Sequence, residues 1–352
     1  MENKDKKKKI IIIILIIVIF ILLCFLSIRL ISNLFLNKIN EEDINEEDIS
    51  ETIVEDDTKE AHEVLNIMLI GADNSGRNYN SYNEQNSDMF KIVSLDYTDS
   101  KIKITSLNKD VVVWMPDTNE FGHMNWPYAK GGPAYALNTI NYNLDLDVSK
   151  YVTFSFAGFI DVIDELGGID IELSEKEAQA MNNPAYGNKV SINAKKGSNH
   201  MQGNDALTYA RINYLDSDFV RMDRQNKVIK AVIDKLKTSS FDDLISVINT
   251  CLPYITTNLT SSEIRQFIQD VLKFDLGNIQ TKTYPINDTK DVAIAKNSIS
   301  GYVLRSYSNQ VIELHKFIYG TNEYEPTQKI YDNETKTYNE ISEFYENGNL
   351  LP

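Results

Sequence analysis

The chain has 352 residues, enough for one large hydrophobic core or two modest ones. Its formal charge of −16 argues against nonspecific nucleic-acid binding. Of its two cysteines, Cys24 lies in an apolar run and Cys251 stands alone in a helical segment, so no intrachain disulfide is expected.

Lys4 and Lys6 to Lys9 precede an apolar run, Ile10 to Ile28, that continues through Arg29 to Leu36 without a small-residue cleavage site. As a helix that run is about 28 Å long, close to a bilayer core of about 30 Å. One uncleaved transmembrane helix is expected over 10–32. The lysine tip, 1–9, stays cytoplasmic and everything after the helix lies outside. Residues 33–61 carry a doubled INEED (Ile39 to Asp43, Ile44 to Asp48), and their charge predicts a disordered acidic stalk.

The globular domain is expected over 62–320. Leu65 to Ile70 reads as a buried strand running into Gly71-Ala72-Asp73. Met89 to Leu95 and Ile102 to Leu107 read as a hairpin around Asp96 to Ser100. Without a bulge, its centre between Thr98 and Asp99 sets Asp88 opposite Lys109. Val111 to Trp114 is a short strand. The stretch His123 to Pro133 reads as a loop before a helix over about 134–142. Strand 151–156, helix 159–166 stopped by Gly167-Gly168, and strand 169–173 follow. Residues 182–206 read as an irregular excursion. Helices over about 241–257 and 261–273, a strand over 280–285 and a helix over 309–318 complete the domain. Strands interleaved with helices, one pair in a hairpin, predict an α/β fold with a mixed central sheet flanked by helices. The polar segment 321–352 is expected to be a mobile tail.

Within that domain, Leu207 to Leu236 reads as two elements meeting at a turn. The second is a helix N-capped by Ser217 or Asp218, with an apolar stripe of Met222, Val228, Ile229, Val232, Ile233 and Leu236. Arg221 and Gln225 fall inside that stripe, where an unpaired charge costs several kcal/mol. An internal ion pair is the plain explanation for one such arginine. Two inward polar groups at a helix N-terminus, with Arg211 just upstream, point to a phosphate site.

His62, His123, His200 and His315 lack ligand spacing for zinc, and no Walker loop, GxGxxG or GxSxG motif is present. Gly131-Gly132-Pro133 is a structural turn or an anion cradle. Asp73 and Asp88 are turn and strand-end aspartates or, by their hard oxygens, ligands for Mg²⁺ (or Mn²⁺). With Lys109, Arg211, Arg221 and Gln225 they suit a pyrophosphate. An outward-facing anchored domain has no ATP supply, so a lipid-linked phosphate is the expected substrate.

Seven blocks then occur in the order seen in one family: NIMLIGAD (Asn66 to Asp73), SDMFKIVSLD (Ser87 to Asp96), SLNKD (Ser106 to Asp110), MNWPYAKGGP (Met124 to Pro133), FAGFIDVIDELGGIDI (Phe156 to Ile171), MQGNDALTYAR (Met201 to Arg211) and DFVRMDRQ (Asp218 to Gln225). In these the chain resembles the LytR-CpsA-Psr (LCP) cell-wall ligases. The resemblance implies an α-β-α sandwich, a polyprenyl-pyrophosphate-linked glycopolymer such as teichoic acid or capsule as donor, and peptidoglycan as acceptor. It implies that Asp73 and Asp88 hold Mg²⁺ and that Lys109, Arg211, Arg221 and Gln225 hold phosphates. Asp218 orients the arginines or, like Asp88, serves as base. The family usually has arginine where this chain has Asn86, Lys109 and Asn213. Lysine loses the planar grip on phosphate and asparagine the charge. Arg77, Arg224 and Lys130 are the candidates to compensate, at positions the sequence does not place, with Arg224 expected as a further phosphate ligand. A binding protein without turnover is therefore the competing expectation, whereas a DNA-binding regulator conflicts with topology and charge.

Overall fold

The computed structural model describes residues 39–42, 44, 63–72, 87–186, 190–212, 215, 218–236, 238–264, 266, 274, 279–286, 293–296, 299–304 and 306–346. Among them no helix is long and apolar enough to cross a membrane, and the expected span at 10–32 lies outside them. Two units are present. A sheet unit draws on Glu42–Thr153, Thr257–Leu259 and Gln280–Pro352; a helical unit draws on Met1–Glu41, Phe154–Thr256 and Thr260–Ile279.

The strands are β1 (Asn40–Glu41), β2 (Val64–Ala72), β3 (Ser87–Asp96), β4 (Lys101–Leu107), β5 (Val112–Met115), β6 (Glu120–His123), β7 (Lys150–Ser155), β8 (Ile169–Leu173), β9 (Gly197–Met201), β10 (Ile255–Thr257), β11 (Gln280–Tyr284), β12 (Ala293–Lys296) and β13 (Ile299–Tyr302). The central sheet runs β1-β10-β7-β2-β3-β4-β11. β2 and β4 are antiparallel to β3, and β11 is parallel to β4, so the sheet is mixed as expected. The β3–β4 hairpin pairs Asp96 with Lys101 and Phe90 with Leu107, which centres it between Thr98 and Asp99. Asp99 N–H donates to the Asp96 carboxylate at 2.9 Å and closes the turn.

One face of this sheet is packed by helices α1 (Trp126–Leu144), α7 (Tyr307–Tyr319) and α8 (Gln328–Glu346). Met68, Ile70, Phe90 and Ile92 meet Leu137, Ile140, Val311, Leu314 and Ile330 there. Each such buried side chain contributes about 1.5–3 kcal/mol. The helical unit contains α2 (Phe156–Glu165), α3 (Glu175–Asn182), α4 (Gly203–Arg211), α5 (Asp218–Leu236) and α6 (Phe241–Cys251), around a core of Ile163, Ile171, Met181, Met201, Tyr209 and Val228.

Five sequence expectations are corrected. Trp126–Leu144 is helical from Trp126, because Pro127 suits a first turn; Gly132, at φ 73° and ψ −157°, and Pro133 break it only in the middle. The excursion 182–206 contains β9, paired with β8 from Gly197 to Met201. The helix from residue 241 stops at Cys251, because Leu252-Pro253-Tyr254 turns into β10. Where a mobile polar tail was expected, α8 is docked on the core. The buried Asp145 carboxylate accepts from Tyr324 Oη at 2.6 Å, and from Thr327 N and Oγ1, each at 2.8 Å. At the other end, part of the expected stalk is β1, where Asn40 donates to the Pro253 carbonyl at 3.2 Å.

Candidate functional site

The expected site residues fall into two groups, one in each unit. In the helical unit, α4 begins at Gly203, whose N–H donates to the Asp164 carboxylate at 2.7 Å. A Cβ there would lie 2.3 Å from the Ile160 carbonyl oxygen, so only glycine lets α4 start this close to α2. α4 ends at Arg211, which is exposed and has its guanidinium 5.1 Å from the Phe156 ring centroid. A cation in the last turn also complements the helix dipole.

Helix α5 carries the remaining cations. Arg221 is 4% exposed, so the inward direction expected of it holds; Gln225, one turn later on the same side, is half-buried. Met222 and Val228 of the apolar stripe are buried as expected. Arg224 was expected as a further phosphate ligand. It is 1% exposed, and its Nη2 donates to the Ile212 carbonyl at 2.7 Å. That bond ties the early turns of α5 to the residue after Arg211, which makes Arg224 a brace for the arginine-bearing helix end. Asp218 begins α5, but its side chain, like Ser217 and Asn213, lies outside the described residues.

Glu177 was not singled out by sequence, yet it organises this unit. It accepts from Tyr209 Oη at 2.8 Å, Lys227 Nζ at 3.1 Å and Ser174 N at 2.8 Å. Burial pushes its carboxyl upward, but the Ser174, Tyr209 and Lys227 hydrogen bonds outweigh it and hold the pKa at about 2. The capping box Ser174–Glu177 was the legible signal: Ser at a helix start with Glu three residues on.

In the sheet unit, the β2–β3 register runs from Val64 opposite Asp96 to Gly71 opposite Met89, then shifts so that Ala72 faces Ser87. Asp88 is the extra residue of that bulge. The Asp88 side chain, Asp73, Arg77 and Asn86 lie outside the described residues. The β3–β4 register, carried two residues past its last pair, sets Asp88 opposite Lys109, although β4 itself ends at Leu107 and half-buried Lys109 lies in the turn beyond. Beside Lys109, Asp110 places Oδ1 3.9 Å from His123 Nδ1, and the His123 ring lies tilted over Trp126 with the centroids 4.8 Å apart. Lys130 pairs with Glu120 at the surface. Gly131 makes room for Tyr135, whose Cγ would lie 2.3 Å from an added Cβ, so the glycine turn has a structural role.

Among the described residues no group of three or more His, Cys, Asp or Glu forms a metal cluster. The oxygen chemistry next to Asp88 nonetheless fits a hard divalent cation. Ser87 Oγ and Asn125 Oδ1 are buried oxygens without a hydrogen-bond partner.

Comparison with known proteins agrees with this architecture. A Bacillus subtilis protein named polyisoprenyl-teichoic acid–peptidoglycan teichoic acid transferase TagV is 35% identical over 162 residues, 44% of this chain and 40% of that protein. The transferase TagU of Bacillus cereus is 29% identical over 206 residues, 57% of this chain and 62% of that protein. The chain thus spans less than two thirds of either relative. The crystal structure of gbs0355 from Streptococcus agalactiae superposes with a TM-score of 0.61 at 23% identity, over 76% of this chain and 90% of that one, and shares the fold. Helix α8 lies beyond the match to the family model, which covers residues 32–313. With that match over most of its length, the chain belongs to the LytR_cpsA_psr family.

Proposed function

We propose that this protein is a membrane-anchored phosphotransferase. It moves a glycopolymer phosphate from a polyprenyl-pyrophosphate carrier to a hydroxyl of peptidoglycan. The apolar run at 10–32 anchors it in the cytoplasmic membrane with its N-terminus inside and its folded units outside. The observation that carries this reading is the inward Arg221, 4% exposed on the α5 face that also bears Gln225, in a member of this family.

In the reaction, an acceptor hydroxyl oxygen bonds to the phosphorus that carries the glycopolymer. The bond from that phosphorus to the bridging oxygen breaks, and polyprenyl phosphate leaves with the electron pair. The hydroxyl proton passes to a carboxylate, Asp88 or Asp218. Arg211, Arg221 and Lys109 hold the phosphate oxygens, while Arg224 holds the Arg211 helix end in place. Asp73 and Asp88 hold Mg²⁺ or Mn²⁺, which when bound supplies charge for the departing phosphate. One cation 4 Å from a phosphate is worth about 1 kcal/mol in water and about 4 at an effective dielectric of 20. That converts to roughly fivefold to thousandfold in rate.

The test uses the full chain in detergent with a short-chain polyprenyl-pyrophosphate glycan and a peptidoglycan fragment. Metal-dependent release of polyprenyl phosphate is expected. Arg221→Ala is expected to lower it by about a hundredfold or more while circular dichroism stays unchanged. Unchanged turnover in that variant removes Arg221 from the site. Lys109, Asn86 and Asn213, in place of arginines, favour one second reading, a binder of lipid-linked precursor. Tight binding of the glycolipid with no release, acceptor present, establishes it.

A further inference from the structure

Asn125 stands where an asparagine ordinarily stabilises a helix, and it does not do so. It is the N-cap of α1, yet its side chain takes no hydrogen bond from the first turn, and its backbone is already helical at φ −91°, ψ −13°. A capping asparagine is worth about 1 kcal/mol over alanine, and here that gain is forgone. Instead Nδ2 donates to the Ser87 carbonyl at 3.1 Å. That bond settles which end of the amide is which, because a carbonyl oxygen accepts only from the nitrogen. Asn125 Oδ1 is then left buried with no partner, and so is Ser87 Oγ, in residues 7% and 0% exposed. A buried oxygen without a donor costs about 1–3 kcal/mol, so two at a single linkage call for a ligand. The residue after Ser87 is Asp88, the extra residue of the β2–β3 bulge.

We propose that Asn125 Oδ1 and Ser87 Oγ accept hydrogen bonds from the waters of a divalent cation held beside Asp88, so that Asn125 is a positioning residue for that cation. The proposal rests on the metal reading above. It follows from the chemistry of hydrated Mg²⁺ and Mn²⁺, which keep several bound waters whose polarised hydrogens need acceptors nearby. It also gives a reason for the linkage itself: the Nδ2 bond joins the start of α1 to the backbone of Ser87, next to Asp88 in sequence.

The experiment measures Mn²⁺ binding to the full chain in detergent by electron paramagnetic resonance, with Tm recorded with and without the ion. Ser87→Ala and Asn125→Ala are each expected to weaken Mn²⁺ binding about tenfold to hundredfold, the usual range for outer-sphere partners. The Mn²⁺-induced rise in Tm should shrink in step. Variants whose Tm falls equally with and without Mn²⁺, at the parent dissociation constant, overturn the proposal, because a buried water or plain packing then accounts for both oxygens. A parent chain that binds no Mn²⁺ overturns the proposal together with the metal reading it rests on. Ser87→Ala keeps the bonded carbonyl, so it decides the matter alone if Asn125→Ala fails to fold.

Discussion

Lys91 and Lys103 lie on neighbouring strands of one sheet at 5% and 4% exposure, but on opposite faces and in different company. Lys103 faces the helices of the sheet unit. It donates to the Asp96 carboxylate at 2.9 Å and to the Ile318 carbonyl at 2.5 Å. Lys91 points to the other face, directly across from Ser106, and donates to its hydroxyl at 2.6 Å. With no carboxylate among the described residues to offset it, burial lowers the Lys91 pKa to about 8. One face thus holds a lysine as half of an ion pair, while the other holds an amine that gives up its proton at about pH 8. Burial alone does not decide the charge of a group; the neighbour does.

Breaking the paired side should have the larger effect. Asp96→Asn leaves the Lys103 charge buried without its counterion. Such losses cost about 3–5 kcal/mol, or a fall in Tm of roughly 10 °C for a protein of this size, read by thermal melting at pH 7. The opposite sign is expected across the sheet. A drop from 10.5 to about 8 corresponds to about 3 kcal/mol. Lys91→Met removes that cost and loses about 1 kcal/mol with the Ser106 hydrogen bond, for a net gain of about 2. In the parent, the folded chain releases the Lys91 proton at about 8 and the unfolded chain at 10.5, so stability rises with pH between those values. Denaturant melts from pH 7 to 10.5 should show that slope in the parent and lose it in Lys91→Met. A Lys91→Met protein less stable than the parent would refute the asymmetry.

Glu177 sharpens the comparison as a carboxylate whose lysine partner is at the surface. The Lys227 side chain is 47% exposed, so the ion pair itself is worth little. The effect resides in the Ser174 and Tyr209 hydrogen bonds. Because the folded pKa is about 2 and the ordinary value 4.5, this contribution is present above pH 4.5 and lost as pH falls towards 2. Glu177→Gln should cost about 1 kcal/mol at pH 7 and flatten the acid limb of the stability profile, the smallest of these effects.

Legibility followed the periodicity of each region. β2, β3 and β4 were readable within one or two residues because apolar runs and the Asp96 to Ser100 turn set both strand ends and register. Arg221 was readable as inward because it breaks an otherwise apolar stripe. Arg224 was not, because nothing in its spacing reveals the Ile212 carbonyl it serves. β9 and α8 were missed because their faces are polar by composition and become buried only against partners far along the chain, as Tyr324 in the lead into α8 does against Asp145. Lys91 carried a signal, a lysine amid Met89, Val93 and Leu95 on one strand face, that only the register with Ser106 makes chemical.

By itself the sequence determined the family, the mixed α/β character and the residue types offered to a phosphate, because local periodicity and motif order are properties of neighbours along the chain. Tertiary structure alone decided which cations stay committed to the framework and which oxygens are left buried without a donor. Charge state and hydrogen-bond satisfaction depend on atoms brought within about 3 Å of each other from distant segments, and no spacing along the chain records that distance.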